Sequence, residues 1–77
     1  MSESRPVEVK SDIDAIVWKI EVAVGDEVAA EQVLIILESM KMEVPIMAPA
    51  AGRVRSIAVA EGSDVKEDDV LVVLDVG

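Results

Sequence analysis

The segment Glu38-Ser39-Met40-Lys41-Met42-Glu43 sets a lysine between two methionines. An apolar run at residues 33–37 precedes this segment, and Val44-Pro45-Ile46-Met47 follows it, so Lys41 is predicted to lie on the turn of a hairpin. Thioether side chains usually fill cores or form adaptable contact surfaces, and a turn offers them little burial unless a partner docks there. The pattern therefore indicates an amine that a partner enzyme finds and modifies. The alternative is an ordinary surface lysine, with Met40 and Met42 turned inward.

Other reactive groups are scarce in this chain. It contains no His and no Cys, which removes the usual zinc sites, disulfides, and the commonest bases and nucleophiles of enzymes. Ser39 has no evident base partner. The segment Glu67-Asp68-Asp69 lacks the spaced ligands and the Gly of a calcium loop, so a polar loop is expected there rather than a metal site. The chain is not expected to be an enzyme on its own.

Length and charge narrow the class of protein further. A chain of 77 residues allows one domain, and its formal net charge of −9 argues against nucleic acid and anionic membranes as partners. The first residues are polar and lack a secretory signal, and no apolar stretch approaches the length of a membrane span. Together with the absence of Cys, these features lead us to expect a cytoplasmic location.

The chain repeats itself when the sequence is shifted by 37 residues. Gly25 then falls on Gly62, and Ala15 falls on Gly52. Identical apolar residues also coincide, at the pairs Val17/Val54, Ile20/Ile57, Val22/Val59, Val28/Val65, Val33/Val70, Leu34/Leu71 and Leu37/Leu74. Shared positions of this type report backbone and core, so the two halves are predicted to be copies of one folding unit.

Each half predicts strands separated by Gly-containing turns. The expected strands are residues 16–22 and 54–59, short extended pieces around Val28 and Val65, and apolar runs at 33–37 and 70–74. A helix over 29–36 is rejected, because the run from 33 to 37 is β-branched and has no polar face. The fold class is therefore all-β, a flattened β-barrel or sandwich of two quasi-symmetric halves. Residues 1–5 are expected to form a flexible N-terminal tail and residues 6–77 the domain.

The repeat also predicts where Lys41 lies relative to the chain ends. The Lys41 segment links the two halves, whereas its counterpart after Leu74 is the end of the chain. The Lys41 turn and the two termini should therefore lie at opposite ends of the domain.

Trp18, the only aromatic residue, allows two interpretations. Strict alternation along Ile16, Trp18 and Ile20 puts the ring inside. The repeat instead sets Trp18 against Arg55, which indicates a bulge and a partly exposed ring. The second interpretation is preferred, because a core position rarely tolerates Arg.

The segment from Glu38 to Glu43 resembles the acceptor motif of biotinyl domains, the biotin carboxyl carrier family. The resemblance covers about residues 8 to 76 and extends to Ala48-Pro49-Ala50-Ala51-Gly52 and to the Gly25-Asp26 turn. The chain is most similar to small free-standing biotin/lipoyl attachment proteins, and it lacks the inserted "thumb" that some carriers hold between their second and third strands. The resemblance implies the barrel-sandwich hybrid fold.

The resemblance also implies a function for Lys41. A biotin protein ligase would join biotin to its ε-amine, a biotin carboxylase would carboxylate the biotin, and the arm would carry the carboxyl group to a carboxyltransferase. Met40 and Met42 would contact the ligase or the biotin, whereas Glu38, Ser39 and Glu43 would serve recognition. The acidic pair could equally be plain strand-end charges. The carrier is expected to be monomeric on its own.

One segment departs from the family pattern. Relatives often carry an Ala-Pro-Met-Pro-Gly-like turn before the strand that holds Trp18, whereas this chain reads Asp12-Ile13-Asp14-Ala15. The repeat predicts that this turn lies at the Lys41 end, where its two carboxylates would stabilise the charged amine.

Two other functions remain open. A lipoyl domain shares the fold and the exposed lysine, but usually carries Asp-Lys-Ala or Asp-Lys-Val at the turn, so lipoate is the alternative cofactor. An unmodified β-sandwich adaptor belongs to a different class, and it predicts a helical hairpin inserted between the halves.

Overall fold

A computed structural model describes residues 5–77 as an all-β protein. Its strands, in chain order, are β1 (Arg5–Lys10), β2 (Ala15–Ile20), β3 (Glu27–Val28), β4 (Val33–Ser39), β5 (Met42–Met47), β6 (Gly52–Ile57), β7 (Asp64–Val65) and β8 (Val70–Val76). Every expected strand is present within a few residues of its predicted bounds. Residues 5–77 include no helix that is long and apolar enough to cross a membrane.

The strands form two four-stranded sheets whose neighbours pair antiparallel. One sheet has the order β1-β8-β6-β3, and the other has the order β5-β4-β2-β7. Each half of the chain contributes strands to both sheets. The predicted sandwich of two quasi-symmetric halves is confirmed, and the structure adds that the strands of the two halves are intertwined.

The repeat is reproduced strand by strand. β1 begins at Arg5 and β5 begins at Met42, 37 residues later, and the same offset relates the first and last residues of β2 and β6, β3 and β7, and β4 and β8. The burial patterns of β1 and β5 are identical, as are those of β2 and β6. The two halves are therefore related by a pseudo-two-fold axis.

The core lies between the two sheets and is built from aliphatic side chains. Leu34 and Leu37 on β4 are fully buried, and so are their counterparts Leu71 and Leu74 on β8. Burying one such side chain contributes about 1.5–3 kcal/mol. These contacts stabilise a domain that has no Cys for disulfides.

The connections between strands repeat as well. Gly25 and Gly62 both adopt positive φ, 96° and 88°, which a residue with a Cβ adopts at a cost. The Ser11 N–H donates to the Asp69 carbonyl at 2.9 Å, and its counterpart Ala48 N–H donates to the Gln32 carbonyl at 2.8 Å. The same backbone bonds thus hold the crossover of each half.

The predicted polar loop at Glu67-Asp68-Asp69 uses its polar groups internally. The Lys66 N–H donates to the Asp69 carboxylate at 2.9 Å, and the Asp68 N–H donates to the Ser11 carbonyl at 2.7 Å. Within residues 5–77, no group of three or more Asp or Glu side chains is arranged to hold a metal ion.

Trp18 lies at a bulge. Val17 pairs with Leu37 and Lys19 pairs with Ile36, so Trp18 is the extra residue on β2, and its side chain is 49% exposed. The register of β6 shifts at the equivalent place, around Arg55. The preferred interpretation, a bulge with a partly exposed ring, is confirmed.

β1 is a strand that the sequence analysis did not predict. It begins at Arg5, within the stretch assigned to a flexible tail, and the rest of that tail lies outside the described residues. β1 and β5, which each lie at one edge of a sheet, contain a proline, at Pro6 and Pro45. An edge strand accommodates proline because one side of its backbone has no ladder partner.

The topology separates the Lys41 turn from the chain ends. β4 ends at Ser39 beside the turn, and β5 returns until Met47 pairs with Val33 at the other end of that sheet. Residues 48–51 then cross to the second sheet, in which Arg5 pairs with Val76. The turn and the ends of the described chain thus lie in different sheets, at positions that the pseudo-two-fold axis exchanges.

Candidate functional site: the Lys41 turn

Lys41 occupies a two-residue hairpin turn. Ser39 and Met42 form the last pair of β4 and β5, which leaves Met40 and Lys41 as the connection. Both connecting residues have positive φ, 52° and 66°. This is the geometry of a type I′ turn, whose twist matches that of the flanking strands but which normally selects Asn and Gly. Each residue with a Cβ in this left-handed region costs about 1–2 kcal/mol.

The two methionines beside Lys41 face solvent. Met40 is 92% exposed and Met42 is 67% exposed, and Lys41 is exposed between them. The alternative in which both methionines turn inward is therefore wrong. A strained turn that displays two apolar side chains is costly for an isolated domain, which points to a contact made with another molecule.

Lys41 carries its charge without a carboxylate partner in the described part of the chain. The ion pairs formed by lysines there are Lys10 with Glu8 at 3.8 Å and Lys19 with Glu21 at 3.9 Å. Among residues 5–77, no acid therefore holds the Lys41 amine in an ion pair that a modifying enzyme would have to break.

The carboxylates of Asp12 and Asp14 do not stabilise the Lys41 amine as the sequence predicts, since neither forms an ion pair with it. Asp12 lines the groove between β1 and β5, which Pro49 also lines. Asp14 does lie at the Lys41 end, but its carboxylate accepts a hydrogen bond from the Glu67 N–H at 2.9 Å. The crossover from β1 to β2 is long enough to place its two acids in different surroundings.

The predicted recognition residues flank the turn symmetrically. Glu38 pairs with Glu43 directly across the two strands, and both side chains are exposed. Ser39 is half-buried beside them. All six residues of the motif are thus within two positions of the turn, and five of them present their side chains to solvent.

A shallow groove next to the turn contains residues that motif reasoning missed. Glu38 and Met40 of the hairpin line it on one side, and Ile16 of β2 lies in the middle. Asp64 of β7 and Lys66, which follows β7, also line it. These elements meet because β2 pairs with both β4 and β7. The repeat could have indicated that Ile16 is exposed, because the equivalent residue in the other half is Arg53 and a core position rarely holds Arg.

The site offers one amine that can serve as a nucleophile. The other reactive groups of the motif are the Ser39 hydroxyl and the carboxylates of Glu38 and Glu43. β4 and β5 are joined by two residues, not by the helical hairpin that the adaptor alternative predicts. The arrangement suits covalent attachment of a group to Lys41 by another enzyme.

Known proteins match this chain along most of its length. Residues 7–74 match the family described as "Biotin-requiring enzyme". The biotin/lipoyl attachment protein of Bacillus subtilis is 47% identical over 57 residues, 74% of this chain and 78% of that protein. A protein of Mycobacterium leprae described as a homolog of the biotinylated protein TB7.3 is 37% identical over 67 residues, 87% of this chain and 94% of that protein.

Solved structures share the fold. The urea carboxylase of Kluyveromyces lactis superposes with a TM-score of 0.86 at 31% identity, over 96% of this chain. The chain spans 6% of that enzyme's length. The similarity therefore concerns one domain of a much longer protein.

Proposed function

Because this chain belongs to the biotin/lipoyl-attachment family, we propose that it is a biotin carboxyl carrier with its biotin on Lys41. The observation that carries the proposal is the turn itself, an exposed amine between two exposed methionines at the tip of a hairpin. The Mycobacterium leprae relative, which is described as a homolog of a biotinylated protein, supports the choice of biotin.

The residues of the turn fit such a group. Lys41 would hold it through an amide, because its amine projects from a short, regular hairpin whose strands are anchored in the core by Leu37. Met40 and Met42 would offer apolar contacts to either side. Biotin, when bound, supplies a ring nitrogen that accepts and releases a carboxyl group.

Attachment requires the Lys41 amine to act as a nucleophile. A lysine in water is almost wholly protonated at neutral pH, so a biotin protein ligase must remove a proton first. The nitrogen then attacks the acyl carbon of biotinyl adenylate, AMP leaves with the electron pair of the broken bond, and a second proton leaves the nitrogen. The amide that forms is uncharged. Lys41 is exposed and forms no ion pair within residues 5–77, which favours these steps.

The protein's part in the reaction cycle is position and reach. The lysine stem and the acyl chain together extend on the order of 14 Å by bond-length counting. Tethering raises the effective concentration of the carried group at a biotin carboxylase and at a carboxyltransferase, the two partners that we propose. Neither the proton transfers nor the carboxylation chemistry would be performed by residues of this chain.

Lipoate is the second candidate. The Bacillus subtilis relative is named for attachment of biotin or lipoate, and both groups would be joined to a lysine through the same amide. The two methionines that flank Lys41, where lipoyl domains usually carry Asp and a small residue, favour biotin.

The proposal is tested by co-expressing the chain with a biotin protein ligase or with a lipoate ligase and measuring the intact mass. We expect the mass of one biotinyl group on Lys41, located by peptide mass spectrometry and detected with streptavidin. Lys41→Arg should abolish labelling, whereas Lys66→Arg, a matched change on a nearby exposed lysine, should leave it intact.

The other functions give different results. Modification by the lipoate ligase alone would make the protein a lipoyl carrier. A chain that neither ligase modifies, and whose Lys41→Arg variant keeps its cellular partners, would be an adaptor.

A further inference from the structure

The pseudo-two-fold axis provides an internal comparison for the surface next to Lys41. Four residues lie side by side across the sheet, one register step below the turn, and we call them the turn row: Asp64, Ile16, Glu38 and Glu43. Their counterparts form the termini row in the other sheet: Glu27, Arg53, Asp75 and Pro6. The two rows share backbone geometry, so their differences lie in the side chains.

Acids are neutralised in the termini row. Arg53 Nη2 lies 3.2 Å from Glu27 Oε2, and Arg55 Nη1 lies 3.5 Å from Asp75 Oδ1. Both acids of this row therefore have an arginine partner. Exposed pairs of this kind contribute little stability, but they reduce the local negative charge.

The surface near the turn has neither arginine. In the turn row, Ile16 stands at the position of Arg53, and next to the row, Trp18 stands at the position of Arg55. Ile16 is 45% exposed and Trp18 is 49% exposed. The cations near this row do not replace the lost ones, since Lys19 pairs with Glu21 and Lys66 forms no ion pair in the described chain.

The surface around the Lys41 turn thus combines exposed apolar side chains with acids. Ile16 and Met40 line one groove together with Glu38 and Asp64. Trp18, two residues along β2 from Ile16, and Met42, on the other side of Lys41, are also exposed. Asp64, Glu38 and Glu43 form no ion pair within residues 5–77. Two opposed carboxylates on neighbouring strands destabilise a sheet, so this pattern is unfavourable for the isolated domain.

We propose that the turn row, with Trp18, Met40 and Met42, is the docking surface for the enzyme that acylates Lys41. That enzyme would cover the exposed apolar side chains with an apolar recess edged by Arg or Lys. Apolar contacts at the centre of an interface supply most of its affinity, and complementary charges at the rim speed association. This inference rests on the proposed function.

The length of the lysine side chain favours the acylating enzyme, and not the carboxylating enzymes, as the partner that binds this surface. A bare lysine reaches about 6 Å from its Cα, so the enzyme that modifies it must lie against the residues that surround the turn. The loaded arm reaches on the order of 14 Å, which lets later partners act from farther away. A surface that begins one register step from Lys41 therefore suits the first encounter best.

The experiment gives Ile16 and Trp18 the side chains of their counterparts, Arg53 and Arg55. The double variant Ile16→Arg/Trp18→Arg is compared with wild type in biotinylation by a biotin protein ligase with ATP and biotin. We expect kcat/KM to fall about tenfold, mainly through KM, which corresponds to about 1.4 kcal/mol. In a Lys41→Arg background, which cannot be modified, the Kd for the same ligase should rise about tenfold.

The matched control is Arg53→Ile/Arg55→Trp, the reverse exchange in the termini row. It should keep kcat/KM within about twofold of wild type, a change of less than about 0.5 kcal/mol. If the first double variant does not fold, as judged by circular dichroism, Glu38→Gln/Asp64→Asn tests the border instead. We expect that variant to make kcat/KM less sensitive to added NaCl.

Three outcomes would overturn the docking surface. One is wild-type kcat/KM and Kd in the folded turn-row variant. Another is an equal loss in the termini-row control. A third is unchanged biotinylation with weakened binding to a biotin carboxylase, which would assign the surface to that enzyme. All three differ from failure of the proposed function, in which the wild-type chain is not labelled at all. That result would overturn the proposed docking surface as well.

Discussion

Glu38 and Glu43 stand directly opposite each other on β4 and β5, one register step from the Ser39–Met42 pair that closes the Lys41 turn. Antiparallel neighbours of this kind bring their side chains within about 5 Å, where like charges repel. The hairpin that presents Lys41 is therefore less stable than its strand composition would allow.

Glu43→Gln should relieve this repulsion and raise the free energy of unfolding by about 0.5 kcal/mol in low salt. Urea denaturation measures the change. Glu67→Gln removes the same charge from a turn without a cross-strand carboxylate, and it should change stability less. Equal gains in the two variants would mean that the net charge of the chain matters and the Glu38–Glu43 pair does not.

Met40→Asn should stabilise the domain by up to about 1 kcal/mol, because Asn adopts the left-handed conformation of this turn more readily than Met. Thermal or urea unfolding measures the gain. Met42→Asn is the control, since Met42 is also exposed but lies in a strand, where Asn is disfavoured. Loss of stability in Met40→Asn would contradict the strained turn.

Gly52→Ala should lower the free energy of unfolding by about 1–3 kcal/mol, because the added Cβ would overlap the carbonyl oxygen of Asp75. The change is measured as a drop in Tm. The equivalent position already holds Ala15, and Ala15→Gly should cost only about 0.5–1 kcal/mol through backbone entropy. An unchanged Tm in Gly52→Ala would show that β6 and β8 can move apart at no cost.

Val17→Ala and Val54→Ala should each destabilise the domain by about 2 kcal/mol. These residues are both 1% exposed and occupy equivalent places in the two halves. Urea denaturation of the two variants should give values within about 0.5 kcal/mol of each other. A large difference would mean that one half of the core relaxes around a cavity and the other does not.

The strands and the Lys41 turn could be predicted because their signals are local or repeated. The composition of residues 33–37 alone predicts a strand. Comparing the sequence with itself at an offset of 37 residues supplied a second copy of almost every element. The same comparison identified the bulge at Trp18, since a core residue and Arg55 cannot share one environment. The strands predicted from the sequence pattern agree with the observed topology at positions where core packing alone determines the residue type.

The surroundings of the turn could not be predicted, because they are assembled by pairing between strands far apart in sequence. Ile16 meets Glu38 and Asp64 only through the register of β2, and a shift of one residue would turn it to the other face. Asp12 was expected at the Lys41 end but lines the groove between β1 and β5. No pattern along the chain fixes the path of the crossover that separates Asp12 from Asp14.

The pairing of Arg5 with Val76 repeats the pairing of Met42 with Ser39. Two residues linking Val76 to Arg5 would therefore complete a second hairpin of the same geometry, and Gly77 already stands in the first of those places. A circularised chain with Met-Lys at that junction would display two acceptor amines, one at each pole. The duplication that built the fold thus leaves room for a carrier with two arms on a single scaffold.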